Sequence, residues 1–392
     1  MDILSAMKSA ADAVSLESPL SVLQGEQPSP RFQLTVDGLD ITSKIQGRLI
    51  SLTMTDNRGF EADELEVTLD DTDGKLTLPR RGAKMRLSLG WAGARLVPKG
   101  EFTVDELEHS GAPDTLVIRG RSVDLRDGML VKREKSYHKQ TVAGIVEHIA
   151  GRHNLACIIS PTMGGQLIDH IDQHESDCQL LTRLATQFDA IATIKNGTVL
   201  FAKAGQALTA SGKRLPAVTI NRQSGDSHRF SVADRDAYTG VIAYWHDHKK
   251  AEKKAVTVKR RKRRKKAAAP VTPTPIDPSL PRATANQSEN ELLVGSRDNV
   301  KTLRYIYANQ KNAERGARAA WEKLQRGVAQ FSITLAKGRP ELFPELPVTV
   351  KGFKPQIDEA NWLLTRVVHQ LDGSGGYINE LELEVKVDEL PE

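Results

Sequence analysis

The chain reads as an α+β protein, mainly β: two similar antiparallel barrels, with a small α+β module and a disordered basic loop inserted. Three observations predict this. First, one pattern occurs twice. Leu65-Glu66-Val67-Thr68-Leu69 leads to Leu87-Ser88-Leu89-Gly90-Trp91 and then to Phe102-Thr103-Val104-Asp105-Glu106-Leu107-Glu108-His109. Phe331-Ser332-Ile333-Thr334-Leu335 leads to Val348-Thr349-Val350-Lys351-Gly352-Phe353 and then to Leu364-Thr365-Arg366-Val367-Val368-His369. Each piece alternates apolar and polar side chains, as a half-buried strand does. Three matches in one order read as one domain used twice. Second, the hydrophobic period between the copies changes to helical spacing. Third, a dense Lys/Arg run passes into a Pro-rich stretch that cannot build a core.

The elements follow in order. Residues 1–30 form an arm ending in Gln27-Pro28-Ser29-Pro30, with a short helix expected where Ile3, Met7, Ala10, Ala11 and Val14 share a face. Residues 31–135 form the first barrel. Phe32-Gln33-Leu34-Thr35-Val36 alternates before the turn signal Asp37-Gly38, and further short strands follow. Residues 136–205 form the α+β module. There Thr141 caps a helix carrying Val142, Ile145, Val146 and Ile149, Ser176 and Gln179 make a capping box, and Asn196-Gly197 joins a hairpin. Residues 206–248 supply the first strands of the second barrel, at 217–220, 229–232 and 240–245. Residues 249–290 are the basic, Pro-rich insert, expected to be disordered. Residues 291–327 are a connecting segment and a helix from about 312 to 326, with Ala317, Ala320, Trp321 and Leu324 as its apolar stripe. Residues 328–392 complete the second barrel.

At 392 residues, with 39% hydrophobic and 27% charged residues, the chain suits a multidomain globular protein. No run approaches the roughly 20 apolar residues of a membrane span, and Met1-Asp2-Ile3-Leu4 does not open like a secretion signal. Cys157 and Cys178 read as reduced thiols rather than a disulfide framework. The net charge of +5 is local: residues 249–266 hold twelve Lys or Arg and one Glu, a charge of +11, which leaves −6 for the remainder. The sequence pI of about 9.0 therefore does not describe a basic surface.

Motifs for chemistry are sparse. Asp70-Asp71-Thr72-Asp73-Gly74 fails the calcium-loop pattern, because Leu69 and Arg80 stand at required ligand positions. It reads as an Asp-stabilised turn. His170, Asp172, His174 and Glu175, and separately His246-Asp247-His248, read as surface or structural residues, not ligands. No phosphate loop or nucleophile elbow is present. No catalytic, metal or cofactor residue is expected, and no enzyme. The sharpest local signal is Lys259, Arg260, Arg261, Lys262, Arg263, Arg264, Lys265 and Lys266. Without interleaved aromatics it reads as a solvated loop, with a nucleic-acid or anionic-lipid contact as the rival.

Several longer peptides carry a family likeness: Asp56-Asn57-Arg58-Gly59-Phe60-Glu61-Ala62-Asp63, Phe102-Thr103-Val104-Asp105-Glu106, Gly111-Ala112-Pro113-Asp114, Ala233-Asp234-Arg235-Asp236-Ala237-Tyr238-Thr239-Gly240-Val241, Trp321-Glu322-Lys323-Leu324-Gln325-Arg326-Gly327-Val328-Ala329 and Leu381-Glu382-Leu383-Glu384-Val385. In these the chain resembles the late-control protein D family of contractile-tailed phages and, in fold, the N-terminal part of type VI secretion spike proteins. The resemblance implies a structural hub in the virion baseplate, assembled in the host cytoplasm. It implies a homotrimer of tail-tube-like barrels that joins a six-fold tail tube to a three-fold spike. The partners it implies are the chain itself, the tube protein, the spike protein and other baseplate proteins. It implies no cofactor and carries over no catalytic residue. The rival readings are a nucleic-acid-binding late regulator working through the basic run and, with less support, a cell-wall hydrolase.

Overall fold

The computed structural model describes residues 29–59, 61–122, 128–195, 197–207, 213–232, 238–247, 252–259, 299–307, 309–327, 329–373 and 376–385. The arm at 1–28 and the run from Arg260 to Lys266 lie outside them, as does the Pro-rich stretch. In chain order the elements are β1 (Pro30–Val36), β2 (Leu39–Asp40), α1 (Thr42–Ile45), β3 (Leu49–Asn57), β4 (Glu64–Asp70), β5 (Lys84–Trp91), β6 (Val97–Ser110) and β7 (Thr115–Arg121). Then come β8 (Lys135–Thr141), α2 (Val142–Arg152), β9 (Ala156–Ile159), α3 (Pro161–Gly164), β10 (Leu167–Gln173), α4 (Asp177–Phe188), β11 (Ala190–Lys195) and β12 (Thr198–Lys203). The chain continues through β13 (Val218–Asn221), β14 (Gly225–Val232), β15 (Gly240–Asp247), β16 (Glu252–Lys259), β17 (Val300–Tyr307) and α5 (Gln310–Arg326). It closes with β18 (Ala329–Leu335), β19 (Pro347–Lys351), α6 (Pro355–Asp358), β20 (Trp362–Asp372) and β21 (Tyr377–Val385).

The chain divides into two compact units. The larger comprises Met1–Ser231 with Gln330–Glu392 and the smaller is Val232–Ala329. In the larger unit the repeated sequence builds two arrays of one strand order, β3-β4-β7-β6-β5-β1 and β14-β18-β21-β20-β19-β13. Their registers correspond as well. Val67 faces Ile118 in the first array and Ile333 faces Leu381 in the second. A β-bulge interrupts β6 between Val104 and Glu106, and another interrupts β20 between Leu364 and Arg366. One difference breaks the likeness: β1 runs antiparallel to β5, whereas β13 runs parallel to β19.

The register also corrects the alignment read from the sequence at one strand. Met85 faces Phe102 and Val348 faces Trp362, so Met85, not Leu87, is the counterpart of Val348. The slip is two residues and leaves the inward face unchanged, since side chains alternate with a period of two. Trp91 and Phe353 are consequently not counterparts. In the first array Leu34, Leu52, Leu65, Val67, Met85, Leu87 and Phe102 fill one core. In the second, Phe331 packs on Trp362 and Phe353, with ring centroids 5.5 and 5.2 Å apart.

The α+β module lies in the same unit. The Thr141 hydroxyl accepts from Gly144 N at 3.1 Å to start α2, and the Ser176–Gln179 capping box starts α4. The apolar faces of both helices close a core with β11 and β12 through Val146, Leu181, Ala192, Val199 and Phe201.

Two expectations fail in the smaller unit. The strand at 240–245 does not join the second array: β15 pairs antiparallel with β16 and parallel with β17. Nor is the start of the basic insert shapeless, because Glu252–Lys259 is a strand. Its Val256 and Val258 point with Val241, Ala243 and Leu303 towards Ala313, Ala317 and Trp321 of α5. Period-two apolar residues inside a Lys-rich stretch found a helix to cover them. The connecting segment likewise contributes β17 and α5 to this core.

Candidate functional site

The two copies of the repeat meet edge to edge. Here β20 of the second array pairs antiparallel with β3 of the first, from Arg366 opposite Asn57 to Asp372 opposite Ser51. The two arrays thus form one continuous sheet. Further contacts fasten the seam. Trp91 Nε1 donates to Gly338 O at 2.8 Å, Lys99 Nζ donates to Leu342 O at 3.1 Å, and Gly373 N donates to Ile50 O at 2.9 Å. Arg58 bridges to Glu345 at 2.7 Å and also to Glu384.

Beside the seam, β11 brings Lys195 from the α+β module onto the first array. Its Nζ lies 2.5 Å from Asp56 and 3.1 Å from Asp63, and both carboxylates are buried. Asp63 also accepts from Asn57 N at 2.9 Å. Burial and then the Asp56 charge push the Asp63 carboxyl up to about 6, against the pull of Lys195. Burial works against the Lys195 ammonium, but the two carboxylates overcome it and hold the group above the usual lysine range. Burial brings Lys99 down to about 8. A cavity of about 60 Å³ lies among Asp56, Asp63, Lys99, Glu101, Ser122 and Lys195. That is room for a few water molecules, not for a sugar. Two carboxylates sharing one lysine act as a fastener between module and array; a glycosidase pair flanks an open cleft instead.

His369 sits within the seam strand. Arg339 N donates to Asn379 Oδ1, which turns the Asn379 amide nitrogen towards His369 Nδ1 at 2.7 Å. Nδ1 therefore accepts, and Tyr377 Oη approaches the same atom at 2.9 Å. Burial, and then the Lys99 charge, hold the imidazole pKa well below its ordinary value, so the ring is neutral.

Of the residues singled out in the sequence, Lys259 ends β16 and the other seven basic residues lie outside the described chain. The Asp70–Gly74 stretch is a turn: Asp70 Oδ1 accepts from Thr72 N, Asp71 Oδ1 accepts from Leu76 N, and Arg48 pairs with Asp73. His170 and Asp172 meet at 2.9 Å, and Glu175 pairs with Arg183. Among the described residues no group of three or more His, Cys, Asp or Glu converges as a metal site. Sequence reading singled out neither Lys195 nor its pairing, although Asp56 and Asp63 bracket a peptide that carried the family likeness.

Comparisons with known proteins agree with that likeness. A family model described as "Phage tail baseplate hub (GPD)" matches residues 63–375. The chain is 48% identical over 378 residues to a probable baseplate hub protein of Escherichia phage 186, covering 95% of this chain and 97% of that protein. A tail protein from Neisseria meningitidis MC58 superposes with a TM-score of 0.61 at 16% identity, covering 91% of this chain and 96% of that one. An E. coli type VI secretion component, described as similar to the T4 tail proteins gp27 and gp5, superposes with a TM-score of 0.50 at 12% identity, covering 93% of this chain and 76% of that one. The two structural likenesses concern the fold alone.

Proposed function

This chain belongs to the phage tail baseplate hub family, and from that membership we propose that three copies close a ring joining a six-fold tail tube to a three-fold spike. It is a baseplate hub protein of a phage tail. The observation that carries the ring is an unequal use of equivalent strands. In the second array, β20 beyond its bulge is covered by β3. In the first array, the same stretch of β6, residues 105–110, pairs with β7 on one side and with no other strand among the described residues. The counterpart of β3 is β14, which stands at the end of the sheet order with β18 as its one neighbour among the described residues. The β6 edge of one copy therefore fits the β14 edge of the next, as β20 fits β3 within the chain. Each copy contributes two arrays, so a head-to-tail ring that matches a six-fold tube closes at three copies with six arrays. Tube-facing surfaces then repeat six times while the rest of the chain repeats three times, which suits the spike.

In this reading the protein turns over no substrate: the buried carboxylates beside the seam are committed to Lys195. Assembly takes place in the host cytoplasm, and the mature protein resides in the virion. Native mass spectrometry of the purified chain tests the ring. The expected species is three times 43.1 kDa, able to bind tube and spike proteins; a strict monomer or a dimer would contradict it.

A further inference from the structure

The α+β module holds a constellation that the seam does not use. On β8 and β10, His138 stands directly opposite His170. Their Nδ1 atoms are 3.0 Å apart and their rings lie 26° from parallel. The other nitrogen of His170, Nε2, meets Asp172 Oδ2 at 2.9 Å. The second oxygen of Asp172 accepts from the Ser136 hydroxyl. A carboxylate can only accept here, so the His170 proton sits on Nε2 and its Nδ1 lone pair faces the second imidazole. A carboxylate behind the far nitrogen, itself fixed by a hydrogen bond, is the arrangement that orients and strengthens a metal-binding histidine. Both histidines are exposed; Asp172 holds the His170 ring, and the His138 ring can turn about χ2 to present its own lone pair.

We propose that His138 and His170 form a two-histidine site for a divalent late transition metal, Cu²⁺ or Ni²⁺, with water completing the coordination sphere and Asp172 as the positioning residue. Imidazole donors suit these ions, and affinity rises through Ni²⁺ to Cu²⁺ along the divalent series. Two nitrogens 3.0 Å apart, each about 2.0 Å from a metal, subtend roughly 95°, close to neighbouring positions of a tetragonal ion. Sequence spacing could not reveal the pair, because His138 and His170 are brought together only by strand pairing.

The test is a Cu²⁺ titration of the full chain, followed by paramagnetic resonance. The expected result is one ion per chain with two imidazole nitrogens and a tetragonal spectrum. His138→Gln and His170→Gln, which preserve polarity on an exposed strand, should each weaken binding tenfold or more and leave one nitrogen. Asp172→Asn should keep both nitrogens but weaken binding by about tenfold to a hundredfold. His109→Gln should change nothing. Circular dichroism checks that each variant is folded. Binding by either His138→Gln or His170→Gln as tight as wild type, or a wild-type spectrum with a single nitrogen, would overturn the assignment.

Discussion

His109 and His369 occupy the same position in two copies of one strand, three residues beyond Glu106 and Arg366, where the ladder resumes after a matching bulge. Yet His109 is exposed and lies 3.4 Å from Asp71, whereas His369 is fully buried against Tyr377 and Asn379. What differs is the neighbour: β3 covers β20, and nothing among the described residues covers the matching part of β6. The same sequence position is a core residue in one copy and a free edge in the other.

His369 makes stability pH-dependent. Its folded pKa is depressed, so the unfolded chain binds more protons below the unfolded value of about 6.5. The contribution is intact above that pH and declines as pH falls towards the folded pKa. Chemical denaturation between pH 7 and 5 should show wild type losing stability relative to His369→Gln, by up to about 1.4 kcal/mol per pH unit. Parallel curves for the two proteins would show that the imidazole does not resist protonation.

Asp63 acts in the opposite sense. Its folded pKa is raised to about 6, so the cost of its charge grows as pH climbs from about 3.8 to about 6 and levels off above that. Asp63→Asn can still accept from Asn57 N and leaves Asp56 to pair with Lys195. It should match or exceed wild-type stability at pH 8 and show no gain at pH 4.

Lys195→Met should do the reverse. It strands two buried carboxylates, a loss of about 3–5 kcal/mol, larger at pH 8 than at pH 5, where Asp63 is protonated. A loss independent of pH would mean that lost packing, not charge, dominates.

Trp91 ties the arrays together by its Gly338 hydrogen bond and by packing 5.4 Å from the Tyr377 ring. Trp91→Ala should cost about 3 kcal/mol, and Trp91→Phe less, about 1 kcal/mol for the hydrogen bond together with part of the packing on Tyr377. Gly338 leaves no room for a methyl group, since a Cβ there would lie 2.6 Å from the Tyr377 ring. Gly338→Ala should therefore cost about 1–3 kcal/mol by overpacking. Equilibrium unfolding of the three variants checks the ranking.

Much of this was legible in the chain and some was not, for physical reasons. Alternation in Leu65–Leu69 and Phe331–Leu335 reveals strands and their duplication, because a half-buried sheet imposes a period of two. The caps at Thr141 and Ser176 are local chemistry and read directly. Alternation does not say which sheet a strand joins, so the strand at 240–245 reads as part of the second array although it pairs with β16 and β17. In β16, Val256 and Val258 alternate with Thr257 and lysines, and the surrounding charge hides a short apolar face. The Lys195 fastener joins Asp56, Asp63 and Lys195, which only the tertiary fold brings together. The seam likewise pairs β3 with β20, distant in sequence, and no local pattern records that.

The edge-to-edge ring is tested most directly by cysteine cross-linking. In a chain with Cys157 and Cys178 replaced by Ser, Glu108→Cys on β6 is combined with Ser231→Cys, and separately with Arg229→Cys, on β14. If the β6 edge of one copy lies along β14 of the next, mild oxidation should give covalent dimers and then a closed trimer in at least one pairing, with no larger species. Each single variant should give at most dimers. A native trimer that forms no bond in either pairing, or a ladder continuing past three chains, would contradict the account.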